Sequence, residues 1–589
     1  MFRHGRAGPG AAPMRNARLQ EAPFAGFDAP EVINGVPDMP DLSRARAARA
    51  RARVLRLLFG LTLVILSASL AGSCKCSHEA TSLPPKTPTV RLYLVSSPAG
   101  ALEPCGCVKD MLGGVNHLAA YVKSQTDDAP NSALLAAGPL FFMNTQLTAE
   151  RQTQDTWKAD ALARALASAG LRAWAPGAND WAGGAETFAS LAGSAQATPV
   201  AANLQAPGLT PVRVFEVGGN KVGVAGVSIP SHDGKLPSGV QAVDALAELK
   251  KAKAALDAQG ARVRVLLTAM PRGEALRLID QVPGFQVLVV GKPFDQGEAN
   301  DPPTPPEVIG STLVVEAPNH LQAMGVVDLF VRDDKFEFAD GSNTAVAAER
   351  DSLSARIREL ESRLAAADAA GKAADPDLAA RRADLERMKG EQKKLAAPSV
   401  PQQGSFFQYQ LVEVRDKLGI EPTVQGLIDG YYQRVNDHNR DVFKDKLPLP
   451  APAGESHYVG VEVCSTCHKS ERDFWNLTQH SAAYATLSSA HKEFNLDCVS
   501  CHVTGYDKPG GSTVVHVEKL SNVQCEVCHG PGSRHVDTPL DEKLIALPEQ
   551  SLCAAQCHHP PHVKADWSVS ASWAKIIGPG HQRTSHRDK

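Results

Sequence analysis

Between residues 90 and 345, short apolar runs alternate with longer segments in which apolar positions recur at helical spacing. A buried strand gives a short continuous apolar run, whereas a helix gives apolar positions three and four residues apart. The runs predict strands at Val90–Val95, Ala133–Ala137, Val212–Val217, Val222–Val227, Val263–Thr268 and Phe285–Val290. The helical spacing predicts helices at Asp160–Ala169, Ala242–Ala258 and Gly273–Ile279. The alternation predicts an α/β domain over residues 90–345 with buried, largely parallel strands.

The pattern changes over residues 346–397, where large apolar residues recur at heptad spacing among charged ones. These positions are Leu353, Ile357, Leu360 and Leu364 before a break at Gly371–Pro376, and Leu378, Leu385, Met388 and Leu395 after it. Such spacing predicts a helical hairpin or short coiled coil. Because the break is short, an antiparallel spacer is favoured over the alternative, a dimerisation device.

Two further changes of composition complete the division of the chain. Residues 398–445 return to the mixed composition of folded sequence and are assigned to the remainder of the α/β region. Residues 446–456 (KLPLPAPAGES) are rich in proline and predict a linker. A separate module is therefore expected over residues 457–589.

An apolar run directly follows an arginine cluster near the N-terminus. Residues 42–56 contain six Arg, and the segment Leu57–Ala71 is apolar. A basic segment, an apolar segment and small residues before Cys74 are typical of an export signal. The run is shorter than the ~20 apolar residues of a spanning helix, which disfavours an uncleaved anchor. We assign residues 1–76 to a basic N-terminus with an export signal or lipoprotein anchor, and residues 77–89 to a linker.

Cys74 follows Ala-Gly-Ser and resembles the modified cysteine of a bacterial lipoprotein box. Leu70 stands one position too early for the usual box, so lipidation of Cys74 and simple cleavage both remain open. Either way, we expect the mature chain in the periplasm or elsewhere outside the cytoplasm. A lipid on Cys74 or an uncleaved signal would hold it at the membrane.

The net charge gives no indication of nucleic-acid binding, and the distribution of cysteines indicates local sites. The 589 residues have a formal net charge of −3, so there is no basic excess to indicate nucleic-acid binding. Of the twelve Cys, two pairs lie before residue 110 and four pairs lie between Cys464 and Cys557. This clustering indicates local sites rather than a disulfide framework spread over the fold.

Each of the four C-terminal cysteine pairs is followed directly by a histidine. The groups are Cys464, Cys467 and His468; Cys498, Cys501 and His502; Cys525, Cys528 and His529; and Cys553, Cys557 and His558. In c-type haem attachment, two thiols add to the haem vinyl groups, and the histidine after the second thiol binds the iron. Zinc knuckles also use cysteine pairs, but they do not require a histidine after every pair. We predict four covalently bound haem c groups, the last on a motif with one extra residue.

Haem iron that serves only electron transfer usually has a second axial ligand from the protein. The module contains nine histidines outside the motifs, of which His480, His535 and His581 are the best candidates. His480 lies in a helical stretch, and the other two follow Gly-Pro-Gly segments whose glycines allow close backbone approach. His559 and His562 are weaker candidates, and the rest are expected on the surface.

Several segments of this module resemble the tetrahaem cytochrome c-554 family. They are Tyr458–Cys464, Trp475–His480, Cys498–Tyr506, Val523–His535 and Ile577–His581. The resemblance implies a mostly α-helical module with closely stacked haems. It also implies that three haems have two histidine ligands and that the haem on His502 is five-coordinate. The chain departs from the family pattern at Cys553–Cys557, which puts haem placement there in question.

Residues 90–345 resemble the metallophosphoesterase domain of periplasmic 5′-nucleotidases at Leu112–Tyr121 and Asn220–Val227. The resemblance implies an α/β sandwich with a two-metal site of Asp, Asn and His at strand ends. Those ligands are missing from the corresponding segments, which are Ser96–Pro98, Gly138–Pro139, Gly177–Asp180, Ala269–Met270 and Gly291–Phe294. We therefore expect the fold to be kept and the hydrolytic activity to be lost, with Asn179 and Asp180 capping a loop.

A second cysteine feature, Glu103-Pro-Cys105-Gly-Cys107, lies where the metal site of such an enzyme would begin. Free thiols, a redox-active disulfide and half of a metal site are all compatible with this Cys-x-Cys pattern. A local disulfide is favoured because the chain is expected outside the cytoplasm.

Three functions follow from these features, in order of preference. The first is electron transfer between redox partner proteins, with the α/β domain docking a partner or orienting the haem module. The second is reduction of a small ligand, such as a nitrogen oxide, at an open haem. The third is a working phosphoesterase with a cytochrome appendage.

The mass of the mature protein tests the haem prediction. Four haem groups should add about 2.5 kDa to the polypeptide, and this addition should persist under denaturing conditions because the thioether bonds are covalent. Mass spectrometry of the intact protein would contradict the prediction if it gave the mass of the bare polypeptide. The same spectrum reports any lipid on Cys74.

Overall fold

The computed structural model describes residues 87–104, 111–231, 234–293, 300–342, 344–369, 376–395, 400–541, 544–559, 562–563 and 567–578. The predicted export signal, Cys74, Cys105, Cys107 and His581 lie outside these residues. Among the helices in these ranges, none is both long and apolar enough to cross a membrane.

The described residues between 87 and 442 form strands and helices that alternate along the chain. The strands are β1 (Val90–Ser96), β2 (Ser132–Ala137), β3 (Leu171–Ala175), β4 (Thr198–Pro199), β5 (Leu204–Gln205), β6 (Val212–Val217), β7 (Asn220–Ser228), β8 (Gln241–Ala242), β9 (Val263–Ala269), β10 (Val287–Gly291), β11 (Glu307–Ile309), β12 (Thr312–Val315), β13 (Ala323–Phe330), β14 (Phe338–Asp340) and β15 (Ser405–Glu413). The helices are α1 (Val115–Ser124), α2 (Gln152–Ser168), α3 (Gly184–Ala195), α4 (Ala245–Ala258), α5 (Arg272–Gln281), α6 (Thr344–Ala369), α7 (Pro376–Lys394) and α8 (Pro422–Val442).

Two sheets form the centre of this region. The first has the order β14-β15-β13-β1-β2-β3-β4, and the second has the order β11-β12-β10-β9-β7-β6. Neighbours from β1 to β4 are parallel, as are β7, β9, β10 and β12. Antiparallel pairs join β13 to β1 and β15, β6 to β7, and β11 to β12. The predicted largely parallel arrangement is confirmed, with antiparallel additions.

The two sheets pack face to face, and helices cover their outer faces. In β1, Leu92 and Leu94 face the second sheet, whereas Tyr93 and Val95 pack against the helices. Successive side chains of a strand point to opposite faces, so a strand buried on both faces gives the continuous apolar run seen in the sequence. Helices α1, α2, α3 and α8 cover the first sheet, and α4 and α5 cover the second. The predicted α/β sandwich is confirmed.

Two predicted helix boundaries are wrong, each for a local reason. Helix α2 begins at Gln152 instead of Asp160, because its first turns present polar side chains to the C-terminal region and so lack the apolar spacing. Helix α4 begins at Ala245 instead of Ala242. The side chain of Asp244 accepts a hydrogen bond from the N–H of Ala247 at 2.6 Å and caps the helix.

The predicted helical hairpin is formed by α6 and α7. The heptad side chains that form its buried seam are Leu353, Ile357, Leu364, Leu378, Leu385 and Met388. The hairpin leaves the first sheet after β14 and returns at β15, and these two strands pair in parallel at the sheet edge. Because the seam is satisfied within the chain, the hairpin matches the expected spacer.

The C-terminal region is made of short helices connected by long turns. They are α9 (Val461–Cys464), α10 (Lys469–Trp475), α11 (Ala483–Ser488), α12 (Val499–His502), α13 (Cys525–His529), α14 (Ser533–Asp537), α15 (Ser551–Gln556) and α16 (Val569–Ile576). Its main apolar cluster includes Val499, Val503 and Val514, and Phe443 from the end of α8 packs into it. The α/β region and the helical region are thus in direct contact.

Candidate haem sites

Each predicted attachment motif lies on a helical turn. The N–H of His468 donates to the C=O of Cys464 at 2.9 Å, which places the first cysteine and the histidine on one face of the turn. In the fourth motif, the N–H of His558 donates to the C=O of Cys553 at 2.8 Å. This bond spans five residues instead of four, as in a π-type turn. The turn accommodates the extra residue. In both motifs, the N–H of the histidine therefore donates to the C=O of the first cysteine.

The motifs meet in two pairs. The first and third motifs are neighbours, because the thiol of Cys525 raises the pKa of the Cys464 thiol. The second and fourth motifs are in contact, because the thiol of Cys501 donates to the carbonyl of Gln556 at 3.7 Å. None of the eight cysteines of the four motifs forms a disulfide in the structure, so every pair can supply the two sulfur atoms that haem attachment needs.

Two pairs of imidazole rings lie at the separation expected for ligands on opposite sides of one metal ion. The ring centroids of His468 and His535 are 6.2 Å apart, and those of His480 and His558 are also 6.2 Å apart. A metal–imidazole bond is about 2 Å long and the ring centre lies roughly 1 Å further, so two axial imidazoles have centroids about 6 Å apart. The structure brings predicted distal histidines to the first and fourth motifs.

The local contacts of these histidines favour metal binding. Nδ1 of His535 is buried without a hydrogen-bond partner, which leaves it available as a ligand atom. Burial lowers the pKa of His480, His502 and His558. These rings are therefore neutral at pH 7, and a neutral imidazole has the lone pair that a metal needs.

The two remaining motif histidines are oriented by backbone carbonyls. Nδ1 of His502 lies 2.6 Å from the carbonyl of Ala483, and Nδ1 of His529 lies 3.0 Å from that of Ala546. A carbonyl partner fixes the proton on Nδ1 and leaves Nε2 as the ligand atom, a common arrangement for metal-binding histidine. His581, predicted as a distal ligand, lies outside the described residues. The weaker candidates His559 and His562 contact each other, with centroids 5.2 Å apart.

In the part of the chain that the structure describes, no three His, Cys, Asp or Glu side chains converge on one point, as a zinc knuckle would require. The cysteine pairs, the histidine that follows each pair and the two facing pairs of imidazole rings therefore fit haem c.

Comparison with known proteins agrees with this geometry. Residues 463–530 match the family model described as cytochrome c554 and c-prime. A stretch of 96 residues is 34 % identical to cytochrome c-554 of Nitrosomonas europaea, covering 14 % of this chain and 41 % of that protein. The C-terminal module is similar to cytochrome c-554. The predicted relation to that family is confirmed for this c-554-like module, and the matched stretch spans less than half of the length of its relative.

The α/β region resembles solved phosphoesterase structures. The chain is 18 % identical to a 5′-nucleotidase precursor from Thermus thermophilus, with a TM-score of 0.41, covering 62 % of this chain and 60 % of that one. For a calcineurin-like phosphoesterase from Bacillus subtilis the identity is 16 %, the TM-score 0.35, and the coverage 41 % and 85 %. These are similarities of fold and do not describe an activity.

Asn179 and Asp180, the two side chains expected to cap a loop, have structural partners. The carboxylate of Asp180 accepts hydrogen bonds from the N–H groups of Leu140, Phe141 and Gly177 at 2.8–3.0 Å. Burial raises the pKa of Asp180 to about 6, although these three donors oppose the shift. Asn179 donates to the carbonyl of Met143 at 2.8 Å. Both side chains connect loops, as expected for a cap.

A buried carboxylate that the sequence analysis did not single out organises the c-554-like module. Glu526, which lies between Cys525 and Cys528, is 3 % exposed. Its carboxylate accepts hydrogen bonds from the N–H groups of Val459, Gly460 and Gly532 at 2.8–3.1 Å. It therefore joins the entry to the first motif, the third motif and the turn that leads to His535. Nothing in the motif spacing distinguishes Glu526 from an exposed spacer residue.

Removing a distal histidine should change one haem without detaching it. His535→Ala should convert the first haem, and His480→Ala the fourth, from a low-spin to a high-spin ferric state, because each would lose its sixth ligand. The haem mass should be unchanged. Electron paramagnetic resonance measures the spin states, and His491→Ala, which alters an exposed histidine, is the matched control. Retention of four unchanged signals in both variants would refute the pairing.

Removing the Glu526 carboxylate should destabilise the module. Glu526→Ala leaves three buried N–H groups without an acceptor and should lower the free energy of unfolding by about 3 kcal/mol. Glu526→Gln keeps one acceptor oxygen and should cost less. Urea unfolding followed by Soret absorbance gives the difference. The control is Glu462→Ala, whose ion pair with Arg472 is at the surface and should be worth less than about 1 kcal/mol; equal effects would argue against the role of Glu526.

Proposed function

We propose that this protein is an exported c-type cytochrome that transfers electrons between redox partner proteins through four haem c groups. The observation that supports this most strongly is the placement of His535 opposite His468 and of His480 opposite His558. An iron with two histidine ligands has no free position for a substrate, so such a site suits electron transfer. When bound, haem c supplies an iron that alternates between the ferric and ferrous states.

The protein residues have distinct roles in this proposal. The cysteine pairs fix each macrocycle, and His468, His502, His529 and His558 provide the proximal nitrogen. His535 and His480 are the distal ligands of the first and fourth haems. His581 is then left for the second or the third haem, and the family resemblance, which implies an open haem on His502, assigns it to the third.

The second motif supports a second candidate function. The family resemblance implies that the iron on His502 is five-coordinate, and the three best distal candidates suffice for the other three haems. An open position binds small ligands such as nitric oxide. The alternative function is therefore reduction of a nitrogen oxide at this haem. A phosphoesterase function has less support, because Asp180 and Asn179 are engaged by backbone groups.

Location and attachment complete the proposal. Haem c is attached outside the cytoplasm, which agrees with the predicted export signal before Cys74. We propose a periplasmic protein that is held at the membrane by a lipid on Cys74 or by the uncleaved signal. We expect its electron donor and acceptor to be other redox proteins at the membrane surface.

A redox titration with a count of electrons tests the haem number. The wild-type protein should take up four electrons per chain, and the variant with Cys553→Ser and Cys557→Ser should take up three. Fewer than four in the wild type would refute the tetrahaem assignment. Addition of nitric oxide to the reduced protein should change the spectrum of one haem in four. An unchanged spectrum would exclude the open site and leave the carrier function alone.

A further inference from the structure

The segment directly before the second motif is bound by side chains of the α/β region. Gln154 of α2 accepts a hydrogen bond from the N–H of Leu496 at 3.0 Å. Asn439 of α8 donates to the carbonyl of Phe494 at 2.8 Å. Gln154 is 1 % and Asn439 2 % exposed, and buried polar groups that are fully paired favour one arrangement. The backbone that leads to Cys498 is therefore fixed against α2 and α8.

A group of four charged side chains lies at the same contact. Arg151, at the N-cap of α2, and Lys158 within α2 both form ion pairs with Asp497, the pair with Lys158 at 3.0 Å. Arg151 also pairs with Asp155 at 3.1 Å. The two cations balance the two carboxylates. All four side chains are less than a third exposed, from 12 % for Asp155 to 31 % for Asp497, so solvent screens them less than it screens surface charges.

The position of this charge cluster relates it to the second haem. Asp497 is the residue before Cys498, and consecutive Cα atoms are only about 3.8 Å apart. A haem attached to Cys498 and Cys501 would therefore lie close to the cluster. Nearby charge is one of the properties of a protein that set a haem potential, and the Coulomb interaction weakens slowly with distance in a partly buried site.

We propose that the α/β region controls the redox potential of the second haem through the Arg151–Lys158–Asp497 cluster. This inference rests on the proposed haem c at the second motif. The α/β region then has a role that does not depend on hydrolysis: it supplies the two cations, Arg151 and Lys158, that pair with the carboxylate of Asp497 beside this haem. Arg151, Lys158 and Asp497 are positioning residues, since they act on the haem through charge and placement.

The sign of the effect separates charge control from simple loss of structure. Removing the negative charge of Asp497 leaves uncompensated positive charge, which favours the ferrous state and raises the potential. Removing the positive charge of Arg151 leaves uncompensated negative charge, which favours the ferric state and lowers the potential. A contact that only holds the segment in place would not give shifts of opposite sign.

The experiment is a potentiometric titration of the full-length haem-loaded protein, monitored by optical and electron paramagnetic resonance spectra. Asp497→Asn should raise the potential of one haem, Arg151→Gln should lower the potential of the same haem, and the double variant should return towards the wild-type value. That haem is assigned to the second motif if its signal is missing from the variant with Cys498→Ser and Cys501→Ser. If Arg151→Gln fails to fold, Lys158→Gln replaces it, because removal of this positive charge should also lower the potential of that haem.

Controls and outcomes distinguish this inference from the proposed function. The control variants are Asp334→Asn and Arg262→Gln. They remove the same charges from an ion pair of the α/β region whose side chains are more exposed than those of the cluster, and they should leave all haem potentials unchanged. If the wild-type protein lacks a haem on the second motif, the proposed function fails. If four haems are present but the variants shift no potential, or shift it in one direction only, charge control by this cluster is refuted.

Discussion

The buried carboxylate of Glu526 is the contact on which the arrangement of the c-554-like module depends. A carboxylate with little solvent access is stable only if donors surround it, and its donors are backbone N–H groups on both sides of the module. Because Gly532 is one of these donors, the same contact sets the direction of the chain that leads to α14 and His535. The hydrogen bonds that Glu526 accepts within the third motif therefore help to set the distance between His535 and His468.

The α/β region contributes rigidity to this arrangement. Both faces of its sheets are buried, so strands and helices have little freedom to move relative to each other. Helices α2 and α8 extend this rigid body to the backbone beside Cys498 through Gln154 and Asn439. The α/β region therefore determines where the second cysteine motif lies.

The sequence predicts the fold and the attachment motifs because both depend on local patterns. Strands such as β1 are apolar on both faces, and a Cys-x-x-Cys-His group lies within one helical turn. The start of α2 could not be predicted in the same way, because Arg151, Gln154 and Lys158 interact with residues more than 300 positions away. The assignment of His535 to the first motif and of His480 to the fourth also depends on tertiary contacts. Glu526 gives no signal in the sequence, since a carboxylate between two cysteines is equally common at the surface.

The central claim is that these cysteine and histidine groups hold four irons and that two of the irons lie between the paired imidazoles. X-ray diffraction from crystals of the mature protein, recorded at the iron absorption edge, locates these atoms directly. The account predicts four anomalous peaks per chain, one midway between the rings of His468 and His535 and another between those of His480 and His558. Fewer than four iron peaks, or metal peaks surrounded by cysteine sulfurs at the zinc edge, would contradict it.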